Sequence, residues 1–328
     1  MSDALRPDAP RFSDLLARTA AEHFGLSYLF PYQRLVISNT LEACGLFGSA
    51  AAEGAPKFQI ALLPTGSGKT LCFTLPAVLL EGLTVVVFPL LALISDQQRR
   101  LRHDRIPCAA LIGGQSREQR LALTRDLSSR HIKVLLTNPE SLLTASGRAV
   151  LSGHHIDHLV FDEAHTVCEW GESFRPAYLE AGRIVETLQP SVLTAFTATA
   201  GEALVSRTAA ILHPSVAPHI IRANPDRPNI TYSVVPSIMK IHDLTALLHP
   251  NSEDSTHSSL PPVPRPAIIF CRSRKSAELT AAGLRRRLDN REIYFYHAGL
   301  LKEEKQRIEK WFFSSEEGIL AATTAYGM

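Results

Sequence analysis

The chain has 328 residues, 45% of them hydrophobic and 20% charged. That length favours two domains, and the composition excludes a wholly disordered or collagen-like chain. Five cysteines without a CxxC pair argue against a disulfide framework or a cysteine zinc site, and a net charge of +2 does not by itself announce a nucleic-acid partner.

The first residues, MSDALRPDAPRF, lack the basic start and apolar stretch of a secretory signal. The longest uninterrupted apolar run, residues 85–94, contains Pro89 and falls well short of the ~20 residues that span a bilayer. No membrane helix is expected. Short β-branched runs then alternate with stretches of helical period, the pattern of a parallel sheet covered by helices. Strands are predicted over 60–63, 85–88, 134–137, 159–161 and 192–196, and again over 267–270, 293–296 and 319–322. Apolar positions at three- and four-residue steps predict helices over 92–103, 117–129, 277–288 and 302–312. Four prolines between 214 and 235 mark an interdomain linker, and the polar, Pro-rich stretch 251–266 reads as a surface insertion. The expected organisation is an extension over 1–22, a first domain over 23–213, the linker, and a second α/β domain over 236–328.

The most informative stretch is Pro64-Thr65-Gly66-Ser67-Gly68-Lys69-Thr70, which follows a strand and opens a helix. Small residues there let successive backbone N–H groups converge on phosphate oxygens, and the new helix offers its positive dipole end to the same anion. Lys69 then reaches the β- and γ-phosphates and the Thr70 hydroxyl binds magnesium. The strict pattern wants glycine at position 63, where this chain has Leu63. Such a loop needs a carboxylate at the end of a neighbouring strand. The apolar run ending at Phe161 delivers Asp162 and Glu163 there, where open α/β sheets bind ligands. Asp162 is the better magnesium partner and Glu163 the better group to polarise an attacking water. His154, His155 and His158 have spacings that raise a zinc site, but their place between Gly153 and a strand reads as solvated loop.

The run Asp162-Glu163-Ala164-His165 followed by Trp170-Gly171-Glu172-Ser173-Phe174-Arg175-Pro176-Ala177-Tyr178 resembles the DEAH motif and aromatic-rich loop of the RecQ family of superfamily 2 DNA helicases. Further matches follow in the family's order. Phe24-Gly25 through Pro31-Tyr32-Gln33 resembles its adenine-reading motif. Pro89-Leu90-Leu91 with Asp96-Gln97, and Thr137-Asn138-Pro139-Glu140, resemble its DNA-backbone segments. Thr197-Ala198-Thr199 resembles its coupling motif, and Asp226-Arg227-Pro228-Asn229 its linker. Ile269 to Arg274 and Tyr296 to Leu300 resemble the second motor domain.

The resemblance implies a P-loop NTPase with two RecA-like parallel-sheet domains, helices on both faces of each sheet, the second domain incomplete. It implies ATP and magnesium as cofactors, held by Gln33, Thr65, Gly66, Ser67, Gly68, Lys69 and Thr70. Lys69, Asp162, Glu163 and His165 are the implied catalytic group, with Thr70 and Asp162 on the metal. The implied partner is single-stranded and partly duplex DNA, contacted by Trp170, Phe174, Arg175, Ser273 and Thr323. Trp170 and Phe174 offer π-faces to bases, and Arg175 can stack or hold phosphate. Arg272, Arg274 and Lys275 read equally as phosphate contacts or as a solvated helix start. The family's 3′-to-5′ unwinding in DNA repair and recombination implies an intracellular protein, in the bacterial cytoplasm (nucleoid) or the eukaryotic nucleus. No membrane partner is expected.

The match departs from the family at two positions, where Leu26 stands for a stacking aromatic residue and Phe30 for an arginine. The sequence also stops inside the motif that begins at Ile319, before the family's arginine-finger helix. Such fingers supply about 10³–10⁵ in rate, so the expectation is a chain that binds magnesium-ATP but hydrolyses it poorly and does not unwind duplex. The alternatives are a catalytically silent, ATP-responsive DNA-binding regulator and an RNA helicase.

Overall fold

A strand buried on both faces reads in sequence as a continuous apolar, β-branched run, and the computed structural model realises several such runs. It describes residues 9–46, 54–169, 176–198, 200–224, 226, 229–249 and 263–326. The chain divides into two compact units, Met1–Arg227 and Pro228–Met328. No helix among the described residues is long and apolar enough to cross a membrane.

The first unit begins with α1 (Ala9–Phe24) and α2 (Pro31–Ala43), then alternates strands and helices: β1 (Phe58–Leu62), α3 (Lys69–Leu79), β2 (Leu83–Val87), α4 (Leu91–His103), β3 (Cys108–Leu111), α5 (Arg117–Ser128) and β4 (Val134–Thr137). It continues with α6 (Pro139–Leu143), α7 (Ala145–Leu151), β5 (Ile156–Phe161), α8 (Thr166–Glu169), α9 (Ala181–Leu188), β6 (Val192–Thr197), α10 (Glu202–Leu212) and β7 (His219–Arg222). Among the described residues these strands form a seven-stranded sheet in the order β3-β4-β2-β5-β6-β1-β7, and all its pairings are parallel. Helices cover both faces. Leu123 and Leu127 of α5, Ile184 and Val185 of α9 and Val205 of α10 pack on one side with Ile60, Val85 and Leu159. Val36 of α2, Phe73 of α3 and Ile94 and Leu101 of α4 pack on the other with Ala61, Val86 and Val160.

Three sequence expectations need correction here. The linker was expected to begin at 214, yet β7 lies within that stretch and pairs with β1, Ile220 opposite Ile60; the sheet claims this segment because β1 would otherwise be an edge. Residues 1–22 were expected to stand outside the domain, but Leu16 and Ala20 of α1 are buried against Leu29, Ile37, Leu71 and Leu75. His158 was expected in a solvated loop, but it lies inside β5 and is fully buried.

The second unit contains α11 (Lys240–Leu248), β8 (Ala267–Phe270), α12 (Arg274–Arg287), β9 (Ile293–Tyr296), α13 (Lys302–Ser314) and β10 (Ile319–Ala322). Among the described residues its sheet has three parallel strands in the order β8-β10-β9. Its main apolar cluster joins Ala281 and Leu284 of α12 to Ile293, Ile319 and Ala321.

Candidate functional site

Parallel strands bring their carboxyl ends to one edge of a sheet, so the loops after β1, β5 and β6 meet. Three backbone bonds fix them: Leu63 N–H donates to the Thr197 carbonyl at 2.9 Å, Asp162 N–H to the Val87 carbonyl at 3.0 Å, and Ala164 N–H to the Phe196 carbonyl at 2.8 Å. The loop after β1 turns through Gly66 and Gly68, with φ of 79° and 75°, a region that favours glycine. Gly68 is the N-cap of α3 and gives that helix no side-chain cap, which leaves its positive end for an anion. Ser67 is buried, and its hydroxyl has no hydrogen-bond partner.

Lys69, the first residue of α3, extends its Nζ to Glu163 Oε1 at 2.9 Å and to Asp162 Oδ1 at 3.9 Å. Glu163 holds a left-handed φ of 48°, a conformation that costs a non-glycine residue on the order of 1–3 kcal/mol and gathers at functional sites. Burial pushes the Asp162 carboxyl up to about 6, with Lys69 opposing and the Glu163 charge adding to the rise. Its Oδ1 is buried and accepts no hydrogen bond. A buried carboxylate oxygen lacking a donor suits a hard divalent cation, and Thr70 adds a hydroxyl that here faces Gln97 Oε1 at 3.5 Å. His165 Nδ1 lies 3.0 Å from Thr197 Oγ1 and 3.5 Å from Glu163 Oε2. Contacts thus run from Lys69 through Glu163 and His165 to the end of β6.

Gln33 sits in the first turn of α2 and is 4% exposed. Its Oε1 accepts from Phe30 N–H at 2.9 Å, and its Nε2 donates to the Ser67 carbonyl at 2.9 Å, with the Gly68 carbonyl at 3.5 Å. The Tyr32 hydroxyl donates to the same Ser67 carbonyl at 3.2 Å. Thr65 and Gly66 are exposed in the loop.

The other expected residues lie elsewhere. Trp170, Phe174, Arg175 and Thr199 fall outside the described residues. In the second unit Ser273 caps α12, accepting from Ser276 N–H at 3.1 Å, and Thr323 N–H donates to the Tyr296 carbonyl at 3.0 Å. His155 pairs with Asp157 at 3.0 Å, whereas His158 Nε2 lies 2.8 Å from Thr194 Oγ1 inside the sheet; among the described residues no group of three or more His, Cys, Asp or Glu side chains could hold a metal ion. Sequence reading missed the Gln97 contact to Thr70, for no spacing rule joins residues 27 apart on different helices.

Comparison with known proteins fits this geometry. The DEAD/DEAH box helicase profile matches residues 30–206. The ATP-dependent DNA helicase RecQ of Pasteurella multocida is 30% identical over 273 residues, 83% of this chain and 41% of that protein. The ATP-dependent DNA helicase hus2/rqh1 of Schizosaccharomyces pombe is 35% identical over 279 residues, 81% of this chain and 20% of that protein. The chain thus spans less than half the length of these two relatives. The DUF1998 helicase MrfA, solved bound to DNA, shares the fold with a TM-score of 0.64 at 17% identity, covering 99% of this chain and 45% of MrfA. The chain belongs to the DEAD/DEAH box helicase family, and the relatives it matches over most of its length are RecQ DNA helicases.

Proposed function

We propose that this chain is the motor of a RecQ-type, ATP-dependent DNA helicase, which hydrolyses ATP on the loop of residues 65–70 to translocate 3′ to 5′ along single-stranded DNA and separate duplex. The observation that carries the reading is the run of contacts from Lys69 through Glu163 and His165 to Thr197. In the free site Lys69 and Glu163 neutralise one another. An arriving triphosphate competes for Lys69, and the exchange releases Glu163 to orient and polarise a water toward the γ-phosphorus. His165 holds the other Glu163 oxygen and transmits its position to Thr197, at the head of the segment that resembles the family's coupling motif. Thr70 and Asp162 are the residues that would hold magnesium, which would supply neutralisation of phosphate charge. DNA binding is assigned to Trp170, Phe174 and Arg175, whose rings and guanidinium stack on bases of any sequence, with Ser273 and Thr323 on the backbone.

Paired variants test this reading. Lys69→Ala is expected to abolish ATP binding. Glu163→Gln is expected to keep ATP affinity within a few-fold while lowering DNA-stimulated turnover about 10²–10⁴-fold, the range for loss of a positioned base. Turnover that is unchanged in Glu163→Gln would favour a nucleotide-responsive binding protein instead. Stimulation by single-stranded DNA, compared with RNA of the same sequence, tests the assigned partner.

A further inference from the structure

The carboxyl ends of the first sheet's strands carry the phosphate loop, and the amino ends of the same sheet enclose a second cavity. It has a volume of about 810 Å³ and lies within the first unit, where β2, β4 and β5 begin. Helices in such a sheet run against the strands, so the carboxyl ends of α2, α3, α5 and α7 arrive at this edge. Cys44, Leu80, Ser128 and Ser152, at or just past those ends, all line the cavity. A helix carboxyl end carries roughly half a negative charge. The chain itself sets an ammonium against one of them: Lys133 Nζ donates to the Leu80 carbonyl, past the end of α3, at 2.7 Å.

The buried charge in the wall is Asp157, which is 7% exposed. Gly82 N–H donates to its Oδ2 at 2.6 Å, and His155 Nε2 lies 3.0 Å from its Oδ1. The carboxylate is packed closely on that side, for a Cβ on Gly82 would stand 2.6 Å from its carboxyl carbon. Two carboxylate oxygens accept about four hydrogen bonds, so capacity remains for a donor in the cavity. His155, with a side chain 71% exposed, supplies a hydrogen bond rather than a fixed charge. Burial and then the Asp157 charge push the Cys44 thiol up to about 12, so it stays protonated and donates to the Asp157 carbonyl at 3.4 Å. Glu81 adds a second, exposed carboxylate, while Arg130, the fixed cation among the described lining residues, is also exposed. Between these groups the wall is apolar, made by Leu46, Leu80, Leu83, Leu127 and Ile132.

We infer that this cavity binds a linear aliphatic polyamine, with one ammonium on Asp157 and the helix ends and its methylenes along the leucines. An ammonium brings three donors and a full positive charge to a buried carboxylate that has no fixed cation of its own. The methylenes between ammonium groups match the apolar wall. A metal ion would leave that wall unused, and an anion would meet Asp157 and four negative helix ends. The site is separate from the nucleotide loop and does not depend on the function proposed for it.

Calorimetric titration of the whole chain at low ionic strength, with spermidine, 1,4-butanediol, ammonium chloride and inorganic phosphate, tests the assignment. Spermidine is expected to saturate one site, with the uncharged diol and the chainless ammonium each at least tenfold weaker. Asp157→Asn, which keeps an oxygen for Gly82 N–H but drops the charge, is expected to weaken spermidine tenfold or more. Ser128→Lys, which tethers an ammonium at the cavity wall from an exposed helix end, is expected to weaken it as much. Ser314→Lys makes the same charge change on an exposed position of α13 in the second unit, and is expected to leave binding within twofold. If Asp157→Asn does not fold, the two lysine variants decide. Equal weakening by Ser128→Lys and Ser314→Lys, phosphate binding more tightly than spermidine, or no saturable spermidine binding would each overturn the inference.

Discussion

The two sheets are made of similar strands and are finished very differently. Every residue of β2, β5 and β6 is buried. In the second sheet the central strand β10 is buried throughout, but in the edge strand β8 only Ala267 is buried, while Ile268 and Phe270 are 40% and 63% exposed. The first sheet also carries a buried polar row. Gln59 bonds Asn39, Thr40 and Thr194, and Thr194 in turn meets His158. A sheet enclosed on both faces holds its strand ends rigidly, and the charged loops after β1, β5 and β6 inherit that rigidity. At the corresponding ends of the second sheet, Ser273 is held by a local cap and Thr323 by backbone bonds to Tyr296 and Tyr326. The charged cluster of Lys69, Asp162 and Glu163 lies where the platform is enclosed.

The largest effect that bears on this contrast is expected from Phe196→Ala. Phe196 is fully buried beside Phe73, one residue before the Thr197 that meets His165. Removing a buried aromatic ring costs about 3–5 kcal/mol, read as a fall in the urea stability of the first unit. A loss below about 1 kcal/mol would show that the first sheet is no better packed than the second.

A smaller effect, set by pH, comes from His158. Burial pushes its imidazole down to about 3 from the ordinary 6.5. Below pH 6.5 the unfolded chain therefore takes up a proton that the folded one refuses until about pH 3. Stability falls as pH drops through that window, by about 1.4 kcal/mol per unit for a fully buried group. Urea curves at pH 7 and pH 4.5 are expected to differ by roughly 2–3 kcal/mol on this account. His158→Gln, which retains a polar partner for Thr194 but does not titrate, should show a correspondingly smaller fall. Equal falls in the two proteins would remove His158 as the cause.

The site's local geometry was more legible in the sequence than the packing, for a physical reason. The phosphate loop and the Asp162–Glu163 pair are contiguous segments whose backbone demands fix their residue types. The central strands were legible through runs such as Val85-Val86-Val87. The strand Cys108–Leu111 was missed because Cys-Ala-Ala-Leu carries no β-branched residue. The strand His219–Arg222 was missed because it is an edge strand in which only Ile221 is buried. His158 was misread because its partner, Thr194, lies 36 residues away. The Gln33 bond to Ser67, across 34 residues, was hidden in the same way.

The smallest effect is the one that isolates the second sheet. Ile268 and Phe270 are two apart in β8 and so share a face, and that face is the exposed one. Phe270→Ser is therefore expected to change urea stability by no more than about 0.5 kcal/mol, as for a surface position. The same substitution breaks an apolar strip on an edge strand, the kind of surface that pairs with other chains. Light scattering of concentrated protein should accordingly decrease in the variant while its stability holds. A cost near 2 kcal/mol would mean that the Phe270 ring is packed rather than exposed, and the contrast between the two sheets would lose its sharpest term. Little change in stability together with reduced association would instead tie the difference between the units to how each sheet is covered, since β8 and the first-unit strands draw on the same apolar residue types.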